Sequence, residues 1–121
     1  MADRILCLTW RQVARGREAY SLEVFNDAVG YYAGLQETGR IERFDAVLTP
    51  AAEIDGMMLL HGTHAQLDAV VQDDRFQQIL AEAALVVDDL RVVEGYGTSG
   101  IPEAIGRFQE AIAHLPQTAA A

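Results

Sequence analysis

Two histidines three residues apart are the side chains of this 121-residue chain best suited to chemistry near neutral pH. His61 ends an apolar run, and His64 begins a segment with helical spacing. An imidazole can act there as acid, base or ligand, so we take His61 and His64 as candidate catalytic residues. The alternative is structural, with His61 satisfied at a strand end and His64 solvated in a first helical turn. A third ligand at a recognisable spacing is missing, so we expect no metal and no cofactor.

Three arginines within seven positions form a second candidate group. Arg11, Arg15 and Arg17 surround Gly16 just before a long helical segment. Helix N-termini and arginine forks both favour anions. The group could therefore contact a ligand carboxylate or phosphate. A solvated loop paired with surface acids such as Glu18 is the alternative.

Aromatic residues cluster around that helical segment and could line a pocket for an aromatic ligand, although core packing is their commoner role. Asn26 stands among them and could either fix a ligand carbonyl or face water. Tyr96 is expected at the other end of the sheet, beside His61 and near Arg4 or Glu42. The clustered aromatic residues are Trp10, Tyr20, Phe25, Tyr31 and Tyr32.

The charge composition excludes several functions. All nine basic residues are arginine, and 18 acidic residues bring the net charge to -9. Without lysine there is no Schiff-base, P-loop or general-base lysine, so the glycine-rich residues 95–100 predict a hinge rather than a phosphate loop. Nucleic-acid binding is disfavoured because phosphate contacts need a basic face. The single Cys7 predicts a buried structural thiol, and with no export signal or membrane span we expect a cytoplasmic protein.

The hydrophobic pattern predicts one domain over residues 1–121. Its order is strand, helix, strand, strand, broken helix, strand, helix. Thr63 and Gln66 match a capping box, and Asp73 can cap the second half of the broken helix. The predicted strands cover residues 4–12, 40–49, 56–62 and 90–96, and the predicted helices cover 17–38, 63–71, 73–85 and about 100–115. The frame is residues 4–97, and residues 116–121 are predicted as a frayed tail.

Four finer expectations accompany this pattern. Gly39 should end the first long helix in the left-handed conformation, and Gly30 and Gly34 should let that helix approach the sheet closely. Residues 13–17 and 98–100 should be loops, the latter flexible, with Pro102 in the first turn of the last helix. That helix should bury a stripe made of Ile105, Phe108, Ile112 and Leu115.

A βαββαβ order folds most simply as a ferredoxin-like α+β sandwich with an antiparallel sheet in the order 4-1-3-2. Both long helices then cover one face of the sheet, yet the first and third strands are apolar on both faces. The last helix could cover a strip of the second face, and a second copy of the sheet could cover all of it. A large exposed apolar patch is uncommon on monomers, so we expect a homodimer through facing sheets.

The segments His61-Gly62-Thr63-His64, Asp73-Asp74-Arg75-Phe76 and residues 90–96, taken with the element order, resemble the dimeric α/β-barrel superfamily. That group includes antibiotic-biosynthesis monooxygenase-like, stress-responsive barrel and related small uncharacterised proteins. The resemblance implies a cavity between helices and sheet in each protomer, but no motif transfers a catalytic residue. We therefore expect a dimeric barrel protein that holds a small apolar or aromatic molecule. It is either a cofactor-independent monooxygenase-like enzyme or a non-catalytic binding or accessory module, without nucleic-acid or membrane partners.

Overall fold

Four strands form one antiparallel sheet in the computed structural model of the chain, which describes residues 2–49 and 54–115. Two further strands of two residues each form a separate ribbon, and a short 3-10 turn precedes the last helix. The strands are β1 (Arg4–Trp10), β2 (Gln12–Val13), β3 (Arg43–Leu48), β4 (Gly56–Gly62), β5 (Val87–Asp88) and β6 (Arg91–Tyr96). The helices are α1 (Glu18–Glu37), α2 (His64–Val71), α3 (Asp74–Val86) and α4 (Ile101–His114), and the 3-10 turn is Thr98–Gly100.

The strand order is β3-β4-β1-β6. If these four strands are numbered 1 to 4 along the chain, the order read from the β6 edge is 4-1-3-2, so the predicted sheet is confirmed. In the register, Ile5 lies opposite His61, and Trp10 lies opposite Gly56. Tyr96 pairs with Arg4 at the same end as His61. The two ends of the sheet therefore carry different candidate residues, with Trp10 at one and His61 and Tyr96 at the other.

One face of the sheet forms the core with α1, α2 and α3. Alternate residues of a strand point to the same face, and here Leu6, Leu8 and Leu60 are all buried on the helix side. Tyr32 from α1 and Phe76 from α3 are completely buried against them. The ring of Tyr32 lies 5.5 Å from the ring of Phe44 and 6.3 Å from that of Phe76, centroid to centroid. This packing holds α1 and α3 side by side over the sheet.

The helix boundaries follow the predicted capping signals. The Thr63 hydroxyl accepts from the Gln66 amide at 3.1 Å, and the Gln66 side chain accepts from the Thr63 amide at 2.9 Å. The Asp73 carboxylate accepts from the Arg75 amide, so Asp73 is the N-cap of α3. Gly39 adopts φ 75° just after α1, a conformation that costs an L-residue energy.

Several local predictions were wrong. β1 stops at Trp10, and Val13 lies in β2 instead of a loop, because residues 11–14 pair with the end of α3 and β5. Gly30 and Gly34 do not approach the sheet, since nothing lies within 4 Å of where their Cβ atoms would be. Residues 98–100 form a 3-10 turn in which Gly100 is buried. The tail at 116–121 and residues 50–53 lie outside the described residues.

Helix α4 is oriented opposite to the prediction. Its apolar stripe is exposed, with Phe108 at 66% and Ile105 at 50%. Its polar side contacts the protein instead, because Arg107 donates to the Tyr96 hydroxyl at 3.0 Å and Glu103 lies 3.7 Å from the Arg4 guanidinium. The predicted burial fails because helical periodicity identifies an apolar face but not what that face packs against.

The second sheet face, which we call the open face, lies away from α1, α2 and α3. Its central side chains are apolar, and most of them are half-buried. They comprise Ile5 and Cys7 of β1, Met57 and Leu59 of β4, and Val93 of β6, which register places side by side. Partial burial raises the pKa of the Cys7 thiol, which keeps it protonated near neutral pH.

Candidate ligand cavity

A cavity of about 210 Å³ lies between α1, α3 and the helix side of the sheet. No charged side chain lines it in the part of the chain that the structure describes. It reaches the surface beside Leu22 and Leu48, which are both exposed. The lining residues are Leu8, Trp10, Val13, Ser21, Leu22, Val24, Phe25, Ala28, Tyr32, Leu48, Met58, Ile79, Leu80, Ala83, Val86, Val87 and Leu90.

Local sequence explains why this end of the core is wide. The small side chains of Ala28 on α1 and Ala83 on α3 face the cavity where larger residues would fill it. Trp10 spans the sheet end over Gly56, whose added Cβ would lie only 2.5 Å from the indole ring. The ribbon of β2 and β5 closes the same end with Val13 and Val87.

Few polar groups face this cavity. The Ser21 hydroxyl donates to the Glu18 carbonyl at 2.6 Å, and Trp10 is a second lining residue that carries a polar group. The Tyr32 hydroxyl is buried without a hydrogen-bond partner among the described residues. Burial raises the pKa of Tyr32, so this phenol is neutral and free to donate. An unpartnered buried hydroxyl costs free energy.

The neighbouring Tyr31 has a different environment. Its hydroxyl donates to the Asp73 carboxylate at 2.6 Å, and Arg40 approaches the same carboxylate at 2.9 Å. Partial burial and this hydrogen bond raise the pKa of Tyr31 to about 12. The Tyr31 and Arg40 hydrogen bonds together lower the pKa of Asp73 to about 2. This triad ties α1 to the start of α3, so it is structural.

The two candidate histidines lie away from the cavity and on opposite sides of the sheet. His61 is on the open face, where its Nε2 lies 3.0 Å from Asp45, and Arg43 approaches that carboxylate at 2.8 Å. His64 begins α2, is 66% exposed and contacts Glu94 at 2.8 Å. Their catalytic role stays a prediction, but they do not form one site with each other.

Tyr96 lies at the same end of the sheet as His61, where it pairs with Arg4. The Arg4 guanidinium lies 4.3 Å from the centre of the Tyr96 ring and donates to Glu94 at 3.1 Å. Tyr96 is therefore engaged by Arg4 on its ring and by Arg107 at its hydroxyl. In the described residues no group of three or more His, Cys, Asp or Glu side chains could hold a metal ion.

The ligand-binding candidates in and around α1 comprise residues that line the cavity and residues that do not. Trp10, Phe25 and Tyr32 line the cavity, and the Trp10 and Phe25 rings meet edge to face at 6.4 Å. Tyr20 and Asn26 are exposed on α1 and are not lining residues. Sequence reasoning missed the aliphatic lining from α3 and β4, for which the only signal was the pair of alanines at core-facing helix positions.

The remaining candidates are the arginines next to the cavity. Arg11, Arg15 and Arg17 are exposed, and their side chains form no ion pair or hydrogen bond in the described structure. The predicted pairing with Glu18 does not occur, since the Glu18 carboxylate accepts from the Gly16 amide at 2.9 Å. Whether these arginines contact a ligand stays a proposal.

Comparison with known proteins confirms the fold. No protein-family model matches the chain, and no curated protein matches it in sequence. A dimeric ferredoxin-like protein of unknown function from Jannaschia sp. CCS1 superposes with a TM-score of 0.60 at 14% identity, covering 76% of this chain and 96% of that one. Another from Bacteroides fragilis gives 0.59 at 9% identity, covering 78% and 96%.

Some similar structures have a named activity. SnoaB, a cofactor-independent oxygenase from Streptomyces nogalater, matches with a TM-score of 0.53 at 15% identity, covering 80% of this chain and 93% of SnoaB. The chain thus has the fold of the dimeric ferredoxin-like proteins, as its resemblance to the dimeric α/β-barrel group predicted. Within the described ranges, no helix is long and apolar enough to cross a membrane.

Proposed function

We propose that this protein binds a small apolar or aromatic molecule in the cavity between α1, α3 and the sheet. The observation that carries the proposal is an uncharged cavity of about 210 Å³ whose lining includes Tyr32, a residue with a buried hydroxyl that has no hydrogen-bond partner among the described residues. An engineered apolar cavity of about 150 Å³ in another protein binds benzene. A molecule with one or two rings is therefore the right size, and one hydrogen-bonding atom would complete the match.

Titration with 1-naphthol tests this function, because the compound has two rings and one hydroxyl. We expect calorimetry to show binding and the emission of Trp10, the only tryptophan, to change. Ala83→Leu adds three carbons inside the cavity and should lower the affinity at least about tenfold. Ala84→Leu makes the same change on the exposed side of α3 and should leave it unchanged. Equal affinity in the two variants would place the ligand elsewhere and reject the proposal.

A cofactor-independent oxygenation of the bound molecule is the second candidate function. The dry, apolar lining favours it, because such a site excludes water from a reactive intermediate, and SnoaB has the same fold. The lining offers no carboxylate or imidazole for proton transfer, so binding without catalysis remains the first candidate. Oxygen consumption with 1-naphthol that exceeds the rate of the Ala83→Leu variant would support oxygenation, and equal rates would remove it.

We further propose that a second copy of the chain covers the open face. The face is apolar at Cys7, Leu59 and Val93, which lie side by side across β1, β4 and β6. Two similar structures are described as dimeric, which is the state that facing sheets would give. Apolar surface of this extent is uncommon on a monomer.

Sedimentation tests the dimer. We expect a species of twice the 13.2 kDa chain mass. Leu59→Glu puts a charge at the centre of the open face and should shift the protein to monomer, because an unpaired buried charge is costly. Ala84→Glu adds the same charge on α3 and should leave the dimer intact. A monomeric wild-type protein at micromolar concentration would refute this interface.

A further inference from the structure

The arginines that precede α1 stand out by having no partner. Among the described residues, Arg4, Arg40, Arg43, Arg91 and Arg107 form ion pairs. Arg11, Arg15, Arg17 and Arg75 form none. Three of those four stand within seven positions, in a chain whose net charge is -9. With acids in twofold excess, unpaired arginines concentrated in one segment need a reason.

This segment precedes the opening of the cavity beside Leu22, and its three arginines are not themselves lining residues. Trp10 and Val13 line the cavity just before it, and Ser21 lines the cavity just after it. The Ser21 amide donates to the Arg17 carbonyl at 2.8 Å, so Arg17 stands one helical turn before Ser21. Residues four apart share a helix face, which puts Arg17 on the same side as the cavity.

The segment before α1 carries a net positive charge. Residues 11–18 contain three arginines and one acid, Glu18. The Glu18 carboxylate is engaged by the Gly16 amide, and the nearby Asp88 carboxylate accepts from the Gln12 side chain at 2.9 Å. The start of α1 also carries the positive end of the helix dipole. Glu18 and Asp88 thus have hydrogen-bond partners, while the three guanidinium groups form no ion pair or hydrogen bond in the described structure.

The interior has the opposite character. From Ser21 to Tyr32 the lining follows eleven residues of α1, a rise of about 16 Å, without a charged group. Because burying an isolated charge is very costly, an ionised group on a ligand would stay at the mouth. An apolar body would extend inward toward the hydroxyl of Tyr32.

We infer that the ligand is an organic acid with an apolar body, whose anionic head is held at the mouth by Arg15 and Arg17. This inference rests on the proposed function, since it names the ligand class of the same cavity. Arginine is suited to this role because its planar fork donates two parallel hydrogen bonds to a carboxylate. Arg11, at the sheet end beside Trp10, adds to the positive field.

A pair of nearly isosteric compounds tests the inference. Calorimetric titration compares 2-naphthoate, which is an anion at pH 7, with 2-naphthamide, which is neutral. We expect 2-naphthoate to bind about tenfold more tightly at low salt, with the preference declining as salt screens the charges. The double variant Arg15→Gln and Arg17→Gln should remove the preference without changing the affinity for 2-naphthamide. Arg75→Gln, another unpaired exposed arginine, is the matched control and should keep it.

The outcomes separate this inference from the proposed function. If both compounds bind equally, or the amide binds more tightly, the inference is wrong and the binding function stands. A preference that survives in the double variant also overturns it, because the head would then be held elsewhere. If neither compound nor 1-naphthol binds, the proposed function itself fails. Unchanged thermal unfolding of the double variant shows that a lost preference does not come from misfolding.

Discussion

Replacing the buried Tyr32 with phenylalanine should stabilise the protein without ligand, although the substitution removes a polar group from the core. The ring of Tyr32 is completely buried, and its hydroxyl has no hydrogen-bond partner among the described residues. A buried hydroxyl without a partner costs about 1–3 kcal/mol. Phenylalanine keeps the ring contacts with Phe44 and Phe76 and removes that cost.

The expected gain is at the low end of that range, about 1 kcal/mol. For a domain of this size it corresponds to an increase in melting temperature of about 4 °C. Urea unfolding gives the free energy and calorimetry gives the melting temperature. With 1-naphthol present the effect should reverse in part, because the variant cannot donate a hydrogen bond to the ligand.

Tyr31→Phe is the matched control one position earlier on the same helix. Its hydroxyl donates to the Asp73 carboxylate at 2.6 Å, and hydrogen bonds to charged groups contribute about 1.5–3 kcal/mol. This variant should therefore be destabilised. If Tyr32→Phe is destabilised as much as Tyr31→Phe, the Tyr32 hydroxyl has a partner in the folded protein. The reasoning that makes it a ligand contact would then be refuted.

Three further predictions concern the caps, the acid range and the width of the cavity. Thr63→Ala should destabilise the protein by about 1 kcal/mol because it removes the N-cap of α2, while Thr63→Ser should restore most of that loss in urea unfolding. Stability should fall as the pH is lowered from about 4 to about 2, because the pKa of Asp73 is lowered from 3.8 to about 2 and its stabilising charge is lost on protonation. In Asp73→Asn the slope of stability against pH should be smaller in that window, and an unchanged slope would contradict the assignment. Gly56→Ala puts a Cβ 2.5 Å from the Trp10 ring, so it should lower the free energy of unfolding by about 1–3 kcal/mol. It should also shift the Trp10 emission and weaken 1-naphthol binding. Unaltered emission would mean that the indole does not lie so close to Gly56.

Local signals in the sequence predicted the frame well. The capping box of Thr63 and Gln66, the cap at Asp73 and the left-handed Gly39 depend on neighbouring residues, and the structure confirms all three. Strand β4 begins and ends where its apolar run does. The sheet order followed because few topologies fit a βαββαβ order.

What the sequence could not predict depends on distant partners. The ribbon of β2 and β5 joins residues more than 70 positions apart, and neither two-residue strand has a pattern of its own. The outward stripe of α4 has the same periodicity as a buried stripe. Ala28 and Ala83 line the cavity from two different helices. The sequence does not show whether a small residue borders a cavity or fits into a packed core.

The most direct test of the binding claim is a carbon-13 methyl NMR titration with 1-naphthol. Ala28 and Ala83 line the cavity, whereas the Leu59 methyl groups lie on the open face. We predict that the alanine signals shift in proportion to the bound ligand and that contacts appear between the naphthyl protons and both alanine methyl groups, with Leu59 unaffected. Shifts at Leu59 with unmoved Ala28 and Ala83 signals would contradict the account.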